Sequence, residues 1–177
     1  MTIGILLAGG KSSRFKQGDK ALFFDERLGQ SWLEIAFDKL KQVSDEVFIS
    51  ASATNYEKIK QDLAGGHIQL DHSDFSGEGP LSALYSVAKH FPQGQAQDYL
   101  ILSVDNPEIS INSLRSLMRQ PNQYAENHFT IAYLRFSADD IESYLQTGQR
   151  RVIGFLNQLA ASAIQLPDEE LVNHNEA

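Results

Sequence analysis

The residues best suited to chemistry crowd into the start of the chain. Positions 3–22 read Ile-Gly-Ile-Leu-Leu-Ala-Gly-Gly-Lys-Ser-Ser-Arg-Phe-Lys-Gln-Gly-Asp-Lys-Ala-Leu. An apolar run breaks at Gly9-Gly10, and Lys11, Arg14, Lys16 and Lys20 follow at short intervals. Glycines without a Cβ let the backbone curl, taking φ > 0 where needed, and turn successive N–H groups to one side. Adjacent N–H groups form an anion-holding concavity. The cations concentrate positive charge there in a chain whose formal net charge is −8. Together these features suit a phosphate ligand. The plainer alternative is a tight strand-to-helix turn with solvated basic side chains.

Asp105 is the second such residue. It directly follows the apolar run Tyr-Leu-Ile-Leu-Ser-Val at 99–104 and precedes Asn106-Pro107. A carboxylate at the carboxyl end of a buried strand is well placed to hold Mg²⁺, which takes one or two carboxylates and completes its shell with phosphate oxygens and waters. Asp105 could equally cap the turn that Pro107 continues. Asp71 lies upstream of Ser76-Gly77-Glu78-Gly79-Pro80-Leu81, where Gly79-Pro80 offers a sharp helix entry. Spacing alone also permits an ordinary loop there.

Two familiar phosphate loops do not fit. The Walker A pattern would need a glycine where Ile5 stands, and Gly-x-Gly-x-x-Gly spacing is absent after the first strand.

The elements that must position these residues follow from hydrophobic periodicity. Strands are expected at 3–7, 46–50, 67–70 and 99–104, and a mixed strand at 129–136. Helices are expected at 31–43, 55–63, 81–90, from 111, at 139–146 and from 150. A last short strand is expected at 163–166, and the polar tail 168–177 is expected to fray. Strands alternating with helices favour a three-layer α/β fold, a mostly parallel doubly wound sheet of Rossmann-like type. Ligands of such sheets sit beyond the carboxyl ends of the strands. The basic loop and Asp105 both fall on that edge.

Composition narrows the classes. With 177 residues, 42% hydrophobic and 21% charged, the chain is read as one domain, 1–177, with a full core. It has no cysteine, so disulfides and thiolate metal sites are excluded and a cytoplasmic location is expected. The acidic balance argues against a nucleic-acid surface. The opening apolar run is too short for a membrane span or a signal sequence. The expected assembly is a monomer.

The residues then resemble a family. Leu7, Gly9, Gly10, Ser12, Arg14, Phe15 and Lys20 stand in register with the nucleotidyltransferase signature L-x-G-G-x-S-x-R-[FM]-x(4)-K. Gly79-Pro80-Leu81-Ser82-Ala83 resembles the G-P-L-x-G of molybdenum cofactor guanylyltransferases, the MobA family, with Ala83 in place of glycine. Val104-Asp105-Asn106-Pro107 resembles their C-D-[TM]-P, and His128-Phe129-Thr130-Ile131-Ala132 their H-P-T-I-A with Phe129 in place of proline. Similar matches run through Tyr144-Leu145-Gln146-x-Gly148-x-Arg150-Arg151-Val152 and Leu171-Val172-Asn173-His174-Asn175-Glu176. The segment between Asp105 and His128 is shorter than the family pattern.

The resemblance implies a sheet of nucleotide-diphospho-sugar transferase type. It also implies transfer of GMP from GTP to molybdenum-bearing molybdopterin, with Mg²⁺ as cofactor and pyrophosphate as product. Leu7, Ala8, Gly9 and Gly10 would then hold guanine and ribose through the backbone. Ser50, where the family often has Asn, and Asp71 would complete the nucleotide site with Asp105. Arg14 and Lys20 would bind phosphates, and Asp105 the metal. Gly79, Pro80, Arg150, Arg151, Asn173 and Asn175 would face the second substrate, although Arg150-Arg151 reads equally as a solvated helix start. The acceptor phosphate monoester has a second pKa of about 6, so it attacks as a dianion without a general base. No histidine is therefore assigned to catalysis; His67, His72, His90 and His174 are expected at the surface. The alternatives are a related nucleotidyltransferase using CTP or another acceptor, and a GTP-binding protein without turnover.

Overall fold

The computed structural model describes residues 1–9 and 19–172. Strand β1 (Thr2–Leu7) is its axis. Its apolar side chains point alternately to two layers: Ile3 and Ile5 are fully buried in one core cluster, and Leu6 in the other. A strand buried on both faces reads as a continuous apolar run, which is why the stretch lacks period-two polarity.

The chain continues through a hairpin, β2 (Phe24–Asp25) and β3 (Gln30–Ser31), into α1 (Trp32–Val43), β4 (Glu46–Ser50), α2 (Tyr56–Asp62) and β5 (His67–Gln69). A 3₁₀ turn at Ser73–Phe75 leads to α3 (Pro80–Ala88) and β6 (Gln97–Ser103). Then come α4 (Ile111–Leu117), β7 (Gln123–Ala125), β8 (His128–Phe136), α5 (Ala138–Gln146), α6 (Val152–Gln158) and β9 (Ser162–Ile164). The main sheet has the order β5-β4-β1-β6-β8-β7-β9. β5, β4, β1 and β6 pair in parallel, while β8 runs antiparallel to both β6 and β7. Helices α1 and α4 cover one face and α3, α5 and α6 the other, giving the three layers expected from sequence.

The helix boundaries have local causes. Ser31 lies outside α1 as its N-cap, its hydroxyl accepting from Glu34 N. Ser137 and Asp140 form a reciprocal capping box at the start of α5. Gly79 takes φ +94, a conformation costly for other residues, and delivers Pro80 as the first residue of α3. The polar tail departs from the expected fraying as far as it is described. A 3₁₀ turn spans Asp168–Glu170, and Glu170 accepts from Ser110 N at 2.6 Å.

The β2–β3 hairpin, unforeseen from periodicity, is pinned by Asp25, which is 3% exposed. Its carboxylate accepts from Arg27 Nη2 at 2.8 Å and Nε at 3.1 Å, and from the Trp32 indole at 3.1 Å. These donors, Arg27 foremost, lower its pKa from 3.8 to about 2. A carboxyl whose folded value lies below its unfolded one stabilises fully above pH 4 or so and loses that contribution as pH falls toward 2. Unfolding free energy measured in urea between pH 5 and 2.5 should therefore include a drop of about 2 kcal/mol from this group. Asp25→Asn should remove that part of the slope.

Candidate functional site

The carboxyl edge of the parallel strands carries the candidate site. Leu7, the last residue of β1, registers with Ser50 of β4 and Ser103 of β6. Beyond it, Ala8 N donates to Ser50 O at 2.9 Å. Gly9 follows for a reason different from the one expected. Its φ is not positive; a Cβ there would instead stand 3.1 Å from Ala51 C and 3.2 Å from Ser52 N. The backbone at β4's exit would have to give by a few tenths of an ångström to admit a side chain. Gly10 and Arg14, with Lys11 and Lys16, lie outside the described residues, as do Asn173 and Asn175.

Asn55, which sequence reasoning assigned only to a helix start, ties this edge together. It is 1% exposed and makes no cap to α2. Its Nδ2 donates to Ala8 O and to Asp19 Oδ2, both at 2.9 Å, and its Oδ1 accepts from Ser52 N at 2.8 Å. Asp19 also accepts from Ala21 N at 2.9 Å. One carboxamide thus clasps both shoulders of the basic segment, Ala8 before it and Asp19 after it. The only signal in the sequence is the polar run Ser52-Ala53-Thr54-Asn55 after a strand, which reads more simply as a capping sequence.

Lys20 and Asp105 are brought together from distant parts of the chain. Lys20 Nζ lies 3.3 Å from Asp105 Oδ1, with side-chain exposures of 14% and 44%. Asp105 N donates to Ser103 Oγ at 3.2 Å, so the turn begins from the strand's last side chain. From the helical layer, Lys39 Nζ donates to Pro107 O at 2.6 Å. Burial lowers the Lys39 pKa although Glu108 and Glu170 raise it. Its ammonium thus serves as a structural donor that fixes the Asp105-Asn106-Pro107 turn.

Asp71 is on the same edge but not beside Asp105. It follows β5, three strand spacings from β6, roughly 14 Å at the usual separation. Its Oδ2 accepts from Gly77 N at 2.9 Å, folding the 71–77 loop. Ser50 is 4% exposed.

On the other side of Asp105 an open cavity of about 280 Å³ is lined by Asp105, Asn106, Asn127, His128, Phe129 and Thr130, with Val152 closing it. Of the second-substrate residues, Gly79 and Pro80 lie next to Glu78, whose Oε2 accepts from Arg150 Nε at 2.7 Å. Arg150 also donates to the carbonyls of Leu145 and Gln149 and lies 5.6 Å over the Phe75 ring. The structure joins Arg150 to the loop that precedes Gly79-Pro80, and neither Arg150 nor Gly79-Pro80 lines the cavity, which the later motif reaches through Val152. Arg151 is exposed at the start of α6. His67 is exposed as expected and His72 only half so; His90 is exposed and shares a 2.7 Å hydrogen bond with Gln69.

The family model of the MobA-like NTP transferase domain matches residues 4–166. The chain belongs to this family. Relatives include the molybdenum cofactor guanylyltransferase of Serratia proteamaculans, 27% identical, with 97% of this chain and 87% of that protein covered. A protein of Halalkalibacterium halodurans named as a probable molybdenum cofactor guanylyltransferase is also 27% identical, over 89% of this chain and 81% of its own length. Among solved structures, a nucleotidyl transferase of Methanothermobacter thermautotroptrophicus superposes with a TM-score of 0.73 at 16% identity, covering 99% of this chain and 92% of that one. That likeness concerns the fold alone, which is of the nucleotide-diphospho-sugar transferase type.

As a MobA-like NTP transferase, the chain is an enzyme of nucleotidyl transfer. Such chemistry uses a divalent ion. Among the described residues no three carboxylate or imidazole side chains cluster as a protein-only metal cage. One half-exposed carboxylate, Asp105, at the mouth of a site with a lysine beside it, fits an ion that keeps its waters and takes its other oxygens from phosphate. Among the described residues no helix is long and apolar enough to cross a membrane.

Proposed function

We propose that this chain transfers GMP from GTP to the phosphate of a molybdopterin-type pterin, releasing pyrophosphate and requiring Mg²⁺. The observation that carries the reading is the Lys20–Asp105 pair at the carboxyl edge between β1 and β6. A cation beside a metal-competent carboxylate supports this edge as the place where a triphosphate meets its acceptor. The guanylyltransferase name of the 27%-identical Serratia relative supports the choice of GTP and pterin. In this reading residues 1–177 act as one nucleotidyltransferase domain, as a monomer in the cytoplasm.

The backbone of Leu7, Ala8, Gly9 and Gly10 receives the guanosine, and Ser50 contributes by fixing Ala8 through its carbonyl. Asp71, far along the edge from Asp105, serves the nucleoside end. Arg14 and Lys20 bind phosphates. Asp105 would hold Mg²⁺, which supplies neutralisation of the triphosphate charge. Gly79, Pro80, Arg150, Arg151, Asn173 and Asn175 belong to the second-substrate side.

An oxygen of the acceptor's dianionic phosphate attacks the α-phosphorus, the bond from that phosphorus to the bridging oxygen breaks, and pyrophosphate departs. No proton has to be removed, so the protein's task is to align two polyanions and offset their repulsion. Lys20 is only 14% exposed, and a cation so little screened by water supports this role.

Calorimetric titration with GTP, CTP, ATP and UTP, with and without Mg²⁺, tests the proposal. GTP selectivity strengthened by Mg²⁺ is the expected result. A preference for CTP would make the enzyme a cytidylyltransferase, and no nucleotide binding would end the nucleotidyl reading. In the same assay Lys20→Ala should weaken GTP binding by roughly 10- to 100-fold, the worth of a hydrogen bond to a charged group. Its folding stability should fall by no more than about 1 kcal/mol, because Asp105, the partner that Lys20 would leave behind, is 44% exposed and stays solvated.

A further inference from the structure

Phe129 stands out among the described residues of the cavity. It is a large apolar side chain, 37% exposed, beside the carboxylate that serves the reaction. Its position has a backbone cause. Because β8 is antiparallel, its first residues lie level with the carboxyl end of β6. Pairing between them stops at Ile101 opposite Ala132, so residues 128–131 run on past the last paired rung, toward Asp105. On its other side β8 is irregular: Tyr124 of β7 faces Ala132, yet the next residue, Ala125, faces His128. One step along β7 therefore matches four along β8, and residues 129–131 are surplus to the ladder. Bulges of this kind re-aim side chains beside active sites.

The ring is also supported from behind. Tyr124 packs edge-on against Phe129, with centroids 5.8 Å apart and planes at 65°. The remaining lining suits a flat polar heterocycle better than a chain of phosphates or hydroxyls. It offers the carboxamides of Asn106 and Asn127, the imidazole of His128 and the hydroxyl of Thr130, and among the described residues no lysine or arginine lines it, Lys20 standing behind Asp105 at 3.3 Å. Asn127 holds φ +65 in the β7–β8 turn, a left-handed conformation that asparagine tolerates and that sets it at the cavity rim.

We infer that Phe129 selects the acceptor: its face stacks on a planar heteroaromatic ring that enters this cavity, with Tyr124 as buttress. The inference rests on the nucleotidyl-transfer reading for what the cavity serves. The strand order separates the two substrates. The nucleotide occupies the β4–β1 side of Asp105, and the ring of the acceptor occupies the β8 side. An acceptor without an aromatic ring, such as a polyol phosphate, would leave the Phe129 face uncovered and gain nothing from it.

The test uses the full chain and a fluorescent probe, 6-hydroxymethylpterin monophosphate, titrated alongside ribitol 5-phosphate, with GTP calorimetry run in parallel. Wild-type protein should quench the pterin and bind it well ahead of the polyol phosphate. Phe129→Ala should weaken pterin binding about tenfold, as expected for loss of one stacking face. Phe129→Trp should retain it, and Phe129→Leu, which keeps apolar bulk without a ring face, should fall between. GTP affinity should stay the same in all three. Melting temperatures of the Leu and Trp variants separate loss of stacking from loss of fold. Pterin affinity unchanged in Phe129→Ala, or a wild-type protein that binds the polyol phosphate and not the pterin, would overturn the inference. Failure of GTP binding alone would strike the nucleotidyl reading, and the pterin titrations would still decide the role of Phe129.

Discussion

Replacing Asp105 by Asn should lower nucleotidyl transfer roughly a thousandfold, the scale of removing one preorganised electrostatic partner of a transferring phosphoryl group. The amide would keep the shape of the side chain and lose the charge proposed to hold a hard cation. The two halves of the binding energy should then separate. The gain in nucleotide affinity produced by Mg²⁺ should disappear. Metal-free nucleotide affinity should hold or improve, because Lys20 no longer shares its charge with a carboxylate 3.3 Å away. Asp105→Glu retains the charge one methylene further out and should recover part of the turnover. Stability should move little, since the Asp105 side chain is 44% exposed. Product formation followed by pyrophosphate release reads the rate, and calorimetry reads the affinities. Turnover within tenfold of wild type in Asp105→Asn would remove Asp105 from the mechanism.

Asn55→Ala should be the most damaging single truncation at the edge of the sheet. It strips hydrogen-bond partners from Ala8 O, Ser52 N and Asp19, in a place where water cannot easily replace them. Leaving such groups unpaired costs about 2–4 kcal/mol. The second consequence is functional, because the same carboxamide joins the two shoulders of the basic segment. GTP affinity should therefore fall even at temperatures where the variant is fully folded. Asn55→Asp is the sharper substitution. It is nearly isosteric, but it sets a carboxylate against the Ala8 carbonyl and the Asp19 carboxylate. It should be at least as unstable as the Ala variant near neutral pH and should recover as acid protonates the pair. Urea unfolding at two pH values measures both effects. An Ala variant as stable as wild type would show that the clasp contributes nothing.

Much of the fold was legible because its parallel half is built from long, strongly apolar segments. The 46–50 strand is found as read, and the 99–104 strand appears as Gln97–Ser103. The helices at 31–43, 55–63, 81–90 and 139–146 appear within two residues at each end, their limits set by Ser31, Leu63, Gly79 and Ser137 as caps or flanking residues. The β2–β3 hairpin and β7 were missed for one reason. They lack the alternating apolar residues, Ile68 and Leu70 or Ile164 and Leu166, that make the equally short β5 and β9 legible, and their pairing comes from tertiary contacts such as the Asp25–Trp32 hydrogen bond.

The candidate site was legible where motif and topology coincide. Lys20 and Asp105, singled out on different grounds, stand in contact. Its second layer was not legible. Nothing in a single sequence says that Asn55 passes over capping to reach Ala8, or that Arg150 is engaged by Glu78. Both depend on which loops the folded sheet lays side by side. Gly9 is read in the sequence for its freedom of φ, whereas in the structure its φ is not positive and the backbone at Ala51-Ser52 passes close to it.

The central position of β1 has a consequence for how the protein comes into being. Its two neighbours, β4 and β6, are reached only after long crossovers, so parallel pairing must close large loops before any contact repays the lost chain entropy. During synthesis, β1 and the basic segment emerge before both of the strands that will flank β1. Until Gln97–Ser103 leaves the ribosome, β1 has one bare edge and Lys20 has no Asp105 to meet. The nascent chain thus carries an apolar, unpaired strand edge until β6 has been made, the kind of surface that chaperones cover. The Lys20–Asp105 pair of the proposed site thus forms only once the strand that covers the second edge of β1 has been made.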